Sequence, residues 1–479
     1  MKRAIIYCLA ASSIWAASEC RPCHEKQVSD YARSPMGRSI GPATAEPASF
    51  LHQPSKTQFA VLSRNGHPYQ GIGRKGLFAE YPLAYRIGSG SHATGYLVKL
   101  GQWLFQSPIS HYTRPNLWDV APGYEAMSHP DFNRRVTDEC LACHSSGPRE
   151  DLQPISCDQC HGAATLHLQE PTRANIVNPA RLAIQARDLV CEKCHLAGEA
   201  RISHQPADTV FVYNRPRDDL RVVSHVEQLA LSACARQSQG KLWCGSCHQP
   251  HGEPINVSAQ CRTCHTKALS PSHAKHTECV SCHMTKRHAA DGGHTAFTDH
   301  RIRRTSAAFV NSAASGLRPW RPIPNANQRE RDYGLAAIQI GERDGSSDLI
   351  NDGYRRLANA FPHYPRDADV LASMGMVLFL KDQTKDALTL LREAVKQRPT
   401  DAALHEKLGI VHQANGDLPQ ARNSLEASVR LDPGRESAYF RLADCQPTTE
   451  ARRQILERLL KVFPQSLITR EALRDLTRR

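Results

Sequence analysis

The sequence has no uninterrupted apolar run that approaches eighteen residues, so we expect no transmembrane anchor. It also lacks a basic tract with interleaved aromatic residues, which argues against nucleic-acid binding despite a formal net charge of +13. Histidine is scarce in one part only, because three of the 24 His residues lie after His300. The scarcity of His beyond that point marks a change in composition and therefore two regions of different chemistry.

Cysteine, in contrast, is abundant and falls into one pattern. The motif Cys-x-x-Cys-His occurs seven times in the first 283 residues and is the attachment signature of c-type haem. Its two thiols form thioether bonds with one porphyrin, and the adjacent His supplies the proximal nitrogen to iron. We therefore expect seven covalently attached haem c groups. From first to seventh, the motifs are Cys20-Cys23-His24, Cys140-Cys143-His144, Cys157-Cys160-His161, Cys191-Cys194-His195, Cys244-Cys247-His248, Cys261-Cys264-His265 and Cys279-Cys282-His283.

Structural zinc is the main alternative for these cysteines. A zinc ribbon could use several of the intervals between consecutive motifs, such as that from Cys143 to Cys157. However, neither zinc nor a disulfide framework requires a His directly after the second Cys of every pair. The repetition of that His in all seven copies favours haem.

The N-terminus has the pattern of a secretory signal peptide. Lys2 and Arg3 precede a mostly apolar run from Ala4 to Trp15, and the small residues 16–18 suit cleavage before Glu19. Haem is attached to such motifs after export, so a signal peptide agrees with the motifs. We expect a periplasmic or exported protein with a signal peptide at residues 1–18.

A repeat follows the histidine-rich region. Pro365, Pro399 and Pro433 are spaced by 34 residues, and Gly375 and Gly409 keep the same offset. This period resembles the tetratricopeptide repeat (TPR), a helix-turn-helix unit that stacks into a solenoid with a groove for peptides or partner proteins. An unrelated helical bundle is the alternative.

The fold class expected from these patterns is mostly α. We expect a multihaem cytochrome c domain at 19–306 with little regular structure and a small β insertion, in which 77–87 and 95–105 are strand-like. An irregular linker is expected at 307–332, followed by a TPR-like helical repeat domain at 333–479.

Each haem iron also needs a sixth ligand if it is to be six-coordinate. Met36 is a candidate for the first haem because no His follows that motif until His52, and Met would raise the potential of the haem. Met36 could equally be a packing residue. The candidate distal His residues, chosen for their spacing from the motifs, are His92, His167, His225, His251, His276, His294 and His300.

The motif-bearing part resembles a superfamily of bacterial multihaem cytochromes. It is similar to the tetrahaem cytochrome that serves hydroxylamine oxidoreductase and to cytochrome c nitrite reductase in 31–38, 87–92, 118–132 and the segments around the motifs. The resemblance implies haems in stacked and perpendicular pairs, mostly with two His ligands, that pass electrons between redox partners. The sequence departs from cytochrome c nitrite reductase, which typically has a Cys-x-x-Cys-Lys motif, because no such motif occurs here. It also departs from hydroxylamine oxidoreductase, which carries eight haems, because it has seven motifs.

Three functions follow from these patterns. The leading hypothesis is electron transfer between redox partners through a chain of seven haems, with the repeats docking a peptide or protein. The first alternative is a haem oxidoreductase that acts on a small nitrogen or sulfur compound at one five-coordinate iron. The second is a scaffold whose repeats recruit a partner reductase. Nucleic acid is not an expected partner, because about fourteen haem propionates would nearly cancel the positive charge.

Overall fold

The computed structural model describes residues 15–203, 208–215, 219–252, 255–266, 278–304 and 315–477. The chain forms two compact units, Met1–Ala197 with Asp219–Phe309 and Gly198–Asp218 with Val310–Arg479. The segment Gly198–Asp218 therefore belongs to the second unit, and we call it the arm. The arm lies within the expected domain 19–306, whose bounds stay a prediction.

An antiparallel sheet of nine strands fills the long interval between the first and second motifs. Its strands are β1 (Ile40–Pro42), β2 (Ala48–His52), β3 (Thr57–Arg64), β4 (His67–Arg74), β5 (Leu77–Ile87), β6 (Ala93–Leu100), β7 (Trp103–Gln106), β8 (Ile109–Tyr112) and β9 (Leu117–Val120). They pair in the order β2-β3-β4-β5-β6-β8-β9, with β1 beside β5 and β7 beside β6. The strand expected at 77–87 is confirmed as β5. The sheet of nine strands is larger than the small β insertion that was expected.

Two tight turns explain why this sheet forms. Asn65-Gly66 joins β3 to β4, and Lys75-Gly76 joins β4 to β5, with positive φ angles at all four residues. Positive φ at both central residues defines the type I′ turn, whose twist matches that of the two strands it connects. The side chains of β3 alternate between buried and more exposed positions, and this places Phe59 and Val61 in the core.

The rest of the first unit consists of short helices joined by irregular segments. The helices are α1 (Trp15–Arg33), α2 (Asp138–His144), α3 (Asp158–His161), α4 (Thr165–Gln169), α5 (Ile184–His195), α6 (His225–Leu231), α7 (Ala233–Gln237), α8 (Cys244–Cys247), α9 (Val257–Cys264) and α10 (Val280–His283). Several of them end at a motif His or at the Cys before it. α1 continues past its motif, but His24 has non-helical backbone angles. Two short strands, Lys286–His288 and Ala296–Thr298, pair beside the last motif.

The second unit is a TPR-like helical solenoid. Its helices are α11 (Ala326–Asp344), α12 (Ser347–Ala360), α13 (Ala368–Leu380), α14 (Thr384–Gln397), α15 (Ala402–Ala414), α16 (Leu418–Leu431), α17 (Glu436–Asp444), α18 (Thr449–Val462) and α19 (Leu467–Thr477). Consecutive helices pack in pairs. Glycine permits this packing in α15, because a Cβ at Gly409 would lie 2.6 Å from Leu425 Cγ of the partner helix.

The arm completes the N-terminal end of this solenoid. Its strands Ala200–Ile202 and Thr209–Arg215 form an antiparallel sheet with Ser315–Pro319. Phe211 is fully buried in the cluster that also contains Ile340 and Leu357. The segment 307–332 was expected to be irregular, but it holds the third strand of this sheet and the first residues of α11.

Among the residues described here, no helix is long and apolar enough to cross a membrane. Residues 1–14, which contain most of the expected signal peptide, lie outside the described part of the chain.

Candidate haem-binding site

A cavity of about 2670 Å³ lies within the first unit. All seven Cys-x-x-Cys-His motifs contribute to its lining, each with its His and at least one Cys. A pocket for one drug-sized ligand has a volume of about 300–1,000 Å³. This cavity is therefore large enough to accommodate several such groups, and the motifs share it.

Apolar side chains around the motifs do not form a core of their own. In 138–197 and 219–304, which we call the motif region, the described residues include four buried leucines, Leu141, Leu152, Leu196 and Leu220. Seven large aliphatic side chains of the same region are exposed, and Leu168, Val177 and Val223 among them line the cavity. Exposed apolar groups around a concave site indicate that an apolar ligand covers them.

The motifs are also close to one another. The thiol of Cys20 lies beside Cys157, so burial and the neighbouring thiol raise the pKa of Cys20 to about 11. A hydrogen bond with Cys244, together with burial, raises the pKa of Cys191. Cys side chains of four further pairs of motifs also interact. These pairs are the third with the fourth, the second with the fourth, the fifth with the sixth and the sixth with the seventh. Each motif is thus connected to the other six through neighbours.

Four of the candidate distal His residues lie close to the His residues of motifs. The ring centroids of His24 and His167 are 6.3 Å apart with planes at 20°. The corresponding values are 6.1 Å and 8° for His161 with His251. Two nitrogens bound to one metal from opposite sides are about 4 Å apart, given bonds of about 2.0–2.1 Å. The ring centroids lie further apart than the nitrogens, so both pairs fit two imidazoles on one iron.

Two further pairs have similar separations. His248 and His300 have ring centroids 6.0 Å apart with planes at 25°. His195 and His225 are 5.4 Å apart and nearly perpendicular, at 77°. Four of the seven proximal His residues thus have a candidate distal partner, and all four partners were expected from the sequence.

In four of the His rings that line the cavity, Nδ1 contacts a backbone carbonyl. Nδ1 of His161 contacts the Val177 carbonyl at 2.7 Å, and Nδ1 of His167 contacts the Thr172 carbonyl at 3.0 Å. Nδ1 of His283 and His300 contacts a backbone carbonyl in the same way. A ring that donates from Nδ1 keeps Nε2 for a metal, so these bonds fit iron ligation through Nε2.

Burial holds several of the rings in the neutral form. Burial and then the nearby His300 lower the pKa of His225 to about 3. Burial is also the largest cause of the lowered pKa values of His144, His195, His248 and His300. Since imidazole binds a metal only when neutral at that nitrogen, these shifts agree with the same role.

Some expected ligands have other surroundings. His294 is not among the described residues that line the cavity, and its Nε2 pairs with Asp119 Oδ2 at 2.7 Å. The expectation that His294 binds iron stays a prediction, and in this structure that nitrogen has a carboxylate partner. His92 packs on Phe297 at 4.2 Å between ring centroids, and its Nδ1 is buried without a hydrogen-bond partner among the described residues.

Met36 was one candidate ligand for the first haem, with a packing role as the alternative. Met36 does line the cavity, but the ring that faces His24 belongs to His167, which lies 143 residues further along the chain. Sequence spacing alone gave no signal for that pairing. His276 lies outside the described residues, and so do His204 and His273.

No group of three or more His, Cys, Asp and Glu side chains converges on a common point within the described ranges. The residues of the motifs do fit haem c, whose attachment needs two thiols and one imidazole per group.

No family model matches the chain. The chain is similar to a chaperone protein DnaJ of Streptococcus thermophilus, with 28% identity over 86 residues. The match covers 18% of this chain and 20% of the chaperone, so the chain spans about a fifth of the length of this curated relative.

Several solved structures of repeat proteins are similar to part of the chain. MamA from Desulfovibrio magneticus RS-1 is 21% identical with a TM-score of 0.27, and the match covers 31% of this chain and 83% of MamA. YrrB, a TPR protein with an unusual peptide-binding site, is 19% identical with a TM-score of 0.26, over 30% of this chain and 73% of YrrB. The repeat assignment itself rests on the helix pairs and the 34-residue period.

Proposed function

We propose that this protein is a periplasmic or exported c-type cytochrome that transfers electrons between redox partners through seven haems. The observation that carries the proposal is that seven attachment motifs line one continuous cavity. Each motif would hold one haem through its two Cys residues, with its His as the proximal ligand. Haem iron supplies a reversible one-electron change between the ferric and ferrous states.

The distal ligands follow from the ring pairs. His167, His251, His225 and His300 would bind the haems of the first, third, fourth and fifth motifs. Ligation by two His residues leaves an iron without an open position, which favours electron transfer over catalysis at these four sites. The remaining three motifs lack an assigned distal ligand in this proposal.

The proximity of the motifs supports a single electron path. Electron tunnelling slows steeply as the distance between redox centres increases, so a carrier needs close neighbours. Every motif has at least one Cys that forms a hydrogen bond or an electrostatic interaction with a Cys of another motif. The proposed path runs from the first motif through the third and fourth to the fifth, sixth and seventh, with the second beside the fourth.

The repeat unit would dock a peptide or protein partner. Stacked helix pairs expose a continuous surface that redox chemistry does not require. Leu380, at the end of α13, is 59% exposed and is an apolar contact that such a partner could cover. Docking by the repeats would hold the partner on the chain that carries the proposed haems.

The proposal is tested by purifying the protein from a host that attaches c-type haem. We expect seven haems per chain by pyridine haemochrome and a mass increased by seven covalent groups. A Cys-to-Ala change at both cysteines of the first motif should remove one haem. A colourless mature chain would contradict the proposal and leave the scaffold alternative.

Electron paramagnetic resonance separates the carrier from the enzyme. We expect low-spin ferric signals from the four haems with paired His ligands. A high-spin signal that changes when nitrite or hydroxylamine is added would favour the oxidoreductase alternative at one of the other irons.

A further inference from the structure

The segment that leads into the third motif is held by side chains that follow the first motif. The hydroxyl of Tyr31 donates a hydrogen bond to the Ile155 carbonyl at 2.9 Å. The Ile155 N–H donates to Ser39 Oγ at 3.2 Å. Both backbone groups of Ile155, two residues before Cys157, are therefore bound by the chain that follows the first haem site.

The same segment is bound from its other side by residues that follow the second motif. Ser145 Oγ donates to the Gln153 carbonyl at 2.9 Å, and the Ser146 N–H donates to the same carbonyl at 3.0 Å. The Ser156 N–H donates to Ser146 Oγ at 2.9 Å. Residues 153–156 thus form a junction between the segments of three motifs.

The Tyr31 and Ser39 side of this junction is anchored to the sheet. Ser39 is buried, and its carbonyl accepts a hydrogen bond from the Gly88 N–H at 2.7 Å, at the end of β5. The chain between Tyr31 and Ser39 is tightly folded, since a Cβ at Gly37 would lie 2.0 Å from the Tyr31 carbonyl oxygen. The two hydroxyls therefore project from a fixed backbone.

We infer that Tyr31 and Ser39 are positioning residues that set the spacing between the groups held by the first and third motifs. The inference rests on the proposed function, because it assumes that both motifs carry haem. Two contacts show what the junction would control. Cys20 lies beside Cys157, and His167, which follows the third motif, faces His24.

The junction would therefore act on two properties at once. If residues 153–156 shift, the third haem moves relative to the first, and His167 moves relative to the first iron. One lost hydrogen bond lowers the equilibrium ratio of the closed to the open junction by about tenfold at most. The chain would keep its fold, while the magnetic coupling and the ligation of the first haem would change.

The test compares Tyr31→Phe with Tyr124→Phe in the full haem-loaded protein. Tyr124 is a matched control, since it is buried and its hydroxyl also donates to a backbone carbonyl, that of Gln106 at 3.1 Å, within the sheet region. We expect Tyr31→Phe to weaken the spin coupling between two ferric haems and to convert part of one low-spin signal to high spin. Tyr124→Phe should leave both signals as in the wild type.

A second variant strengthens the comparison. Ser39→Ala removes the acceptor for the Ile155 N–H, and its combination with Tyr31→Phe should lose more of the spin coupling than either change alone. Wild-type spectra in the double variant would overturn the inference, and so would equal changes in Tyr124→Phe. A loss of haem from several motifs in Tyr31→Phe would also overturn it, because that result indicates a general structural role.

Haem content separates this inference from the proposed function. A wild-type protein without covalent haem contradicts the proposed function and, with it, the inference that both motifs carry haem at a set spacing. A wild-type protein with seven haems and a Tyr31→Phe variant with unchanged spectra contradicts only the role of Tyr31 and Ser39.

Discussion

The motif region and the repeat unit use apolar side chains in opposite ways. In the repeat unit, Leu391, Leu425 and Leu459 are fully buried between helices. In the motif region, Leu166 is 65% exposed, and several other aliphatic side chains line or surround a cavity. The repeat unit is therefore stabilised by contacts within its own chain, whereas the motif region leaves apolar surface exposed around its cavity.

This difference indicates where the folding free energy of each region comes from. The repeat helices bury their apolar faces against neighbours, as stacked repeats do. The motif region has short helices and few buried leucines, and short isolated helices are marginal in water. We infer that the motif region would depend on the proposed haems for stability and that the repeat unit would not.

The largest expected effect is the loss of folding in the motif region without haem. When the protein is made in cells that cannot attach c-type haem, residues 138–197 and 219–304 should lack stable structure, because the cavity would collapse or fill with water. The helices of 326–477 should stay protected. Limited proteolysis with mass spectrometry measures both regions in one sample.

The haem-loaded protein is the control for this experiment, and both regions should then resist the protease. A haem-free chain whose motif region resists cleavage as well as its repeat unit would contradict the inferred dependence.

The second prediction concerns the arm, which belongs to the repeat unit although it lies between the fourth and fifth motifs. Phe211→Ala should destabilise the repeat unit by about 3–5 kcal/mol, because it removes a fully buried ring from the core. Hydrogen exchange of the amides in α11 and α12 measures the change. Phe78→Ala is the control, because this ring of the sheet is 51% exposed. It should change the free energy of unfolding by about 0.5 kcal/mol or less.

Unchanged exchange in Phe211→Ala would mean that the solenoid does not need the arm. The domain boundary expected from the sequence, with all of 19–306 in one domain, would then describe the folding units better than the contacts of Phe211 do.

Local patterns predicted a large part of this molecule. The strand at 77–87 and the 34-residue helical period follow from short-range sequence signals, and both occur in the structure. Asn65-Gly66 is also a local signal, since this dipeptide is the strongest short-range indication of a hairpin. With that signal, the sheet could have been extended to β3 and β4 from the sequence.

Long-range contacts could not be predicted in this way. The arm strand Thr209–Arg215 pairs with Ser315–Pro319 about a hundred residues later, and His167 faces His24 from a different motif. Neither contact has a periodic pattern or a fixed spacing. The tertiary fold decides which His reaches which motif, so the sequence supplied the candidate distal ligands without their partners.

The third prediction tests the close packing of the repeat helices. Gly409→Ala should destabilise the repeat unit by about 1–3 kcal/mol, because the added Cβ would lie 2.6 Å from Leu425 Cγ. Both substitutions gain about 1 kcal/mol of helix propensity, but Gly375→Ala has the milder contact, 3.0 Å from Leu391 Cγ. Urea unfolding followed by circular dichroism should therefore rank Gly409→Ala as the less stable variant, and the reverse order would contradict the packing.

The smallest effect concerns the pH dependence of the repeat unit. Asp367 caps α13, and burial alone would raise its pKa, but the Arg331 guanidinium at 2.7 Å and the amides of α13 hold the pKa below its usual value. A carboxyl group with a lowered pKa in the folded state stabilises the fold above its unfolded pKa of about 3.9. That contribution is lost as the pH falls through the folded pKa.

Asp367→Asn tests this contribution, because Asn still caps a helix but carries no charge to pair with Arg331. At pH 7 the variant should lose about 1–2 kcal/mol of the free energy of unfolding, and the difference from the wild type should vanish below the folded pKa of Asp367. Asp369→Asn is the control on the same helix, since its side chain is 54% exposed and its ion pair with Arg398 contributes about 0.5 kcal/mol or less. Urea titrations between pH 7 and pH 2 measure both variants. A difference for Asp367→Asn that persists at the lowest pH would show that the lost stability comes from the cap or the packing and not from the charge.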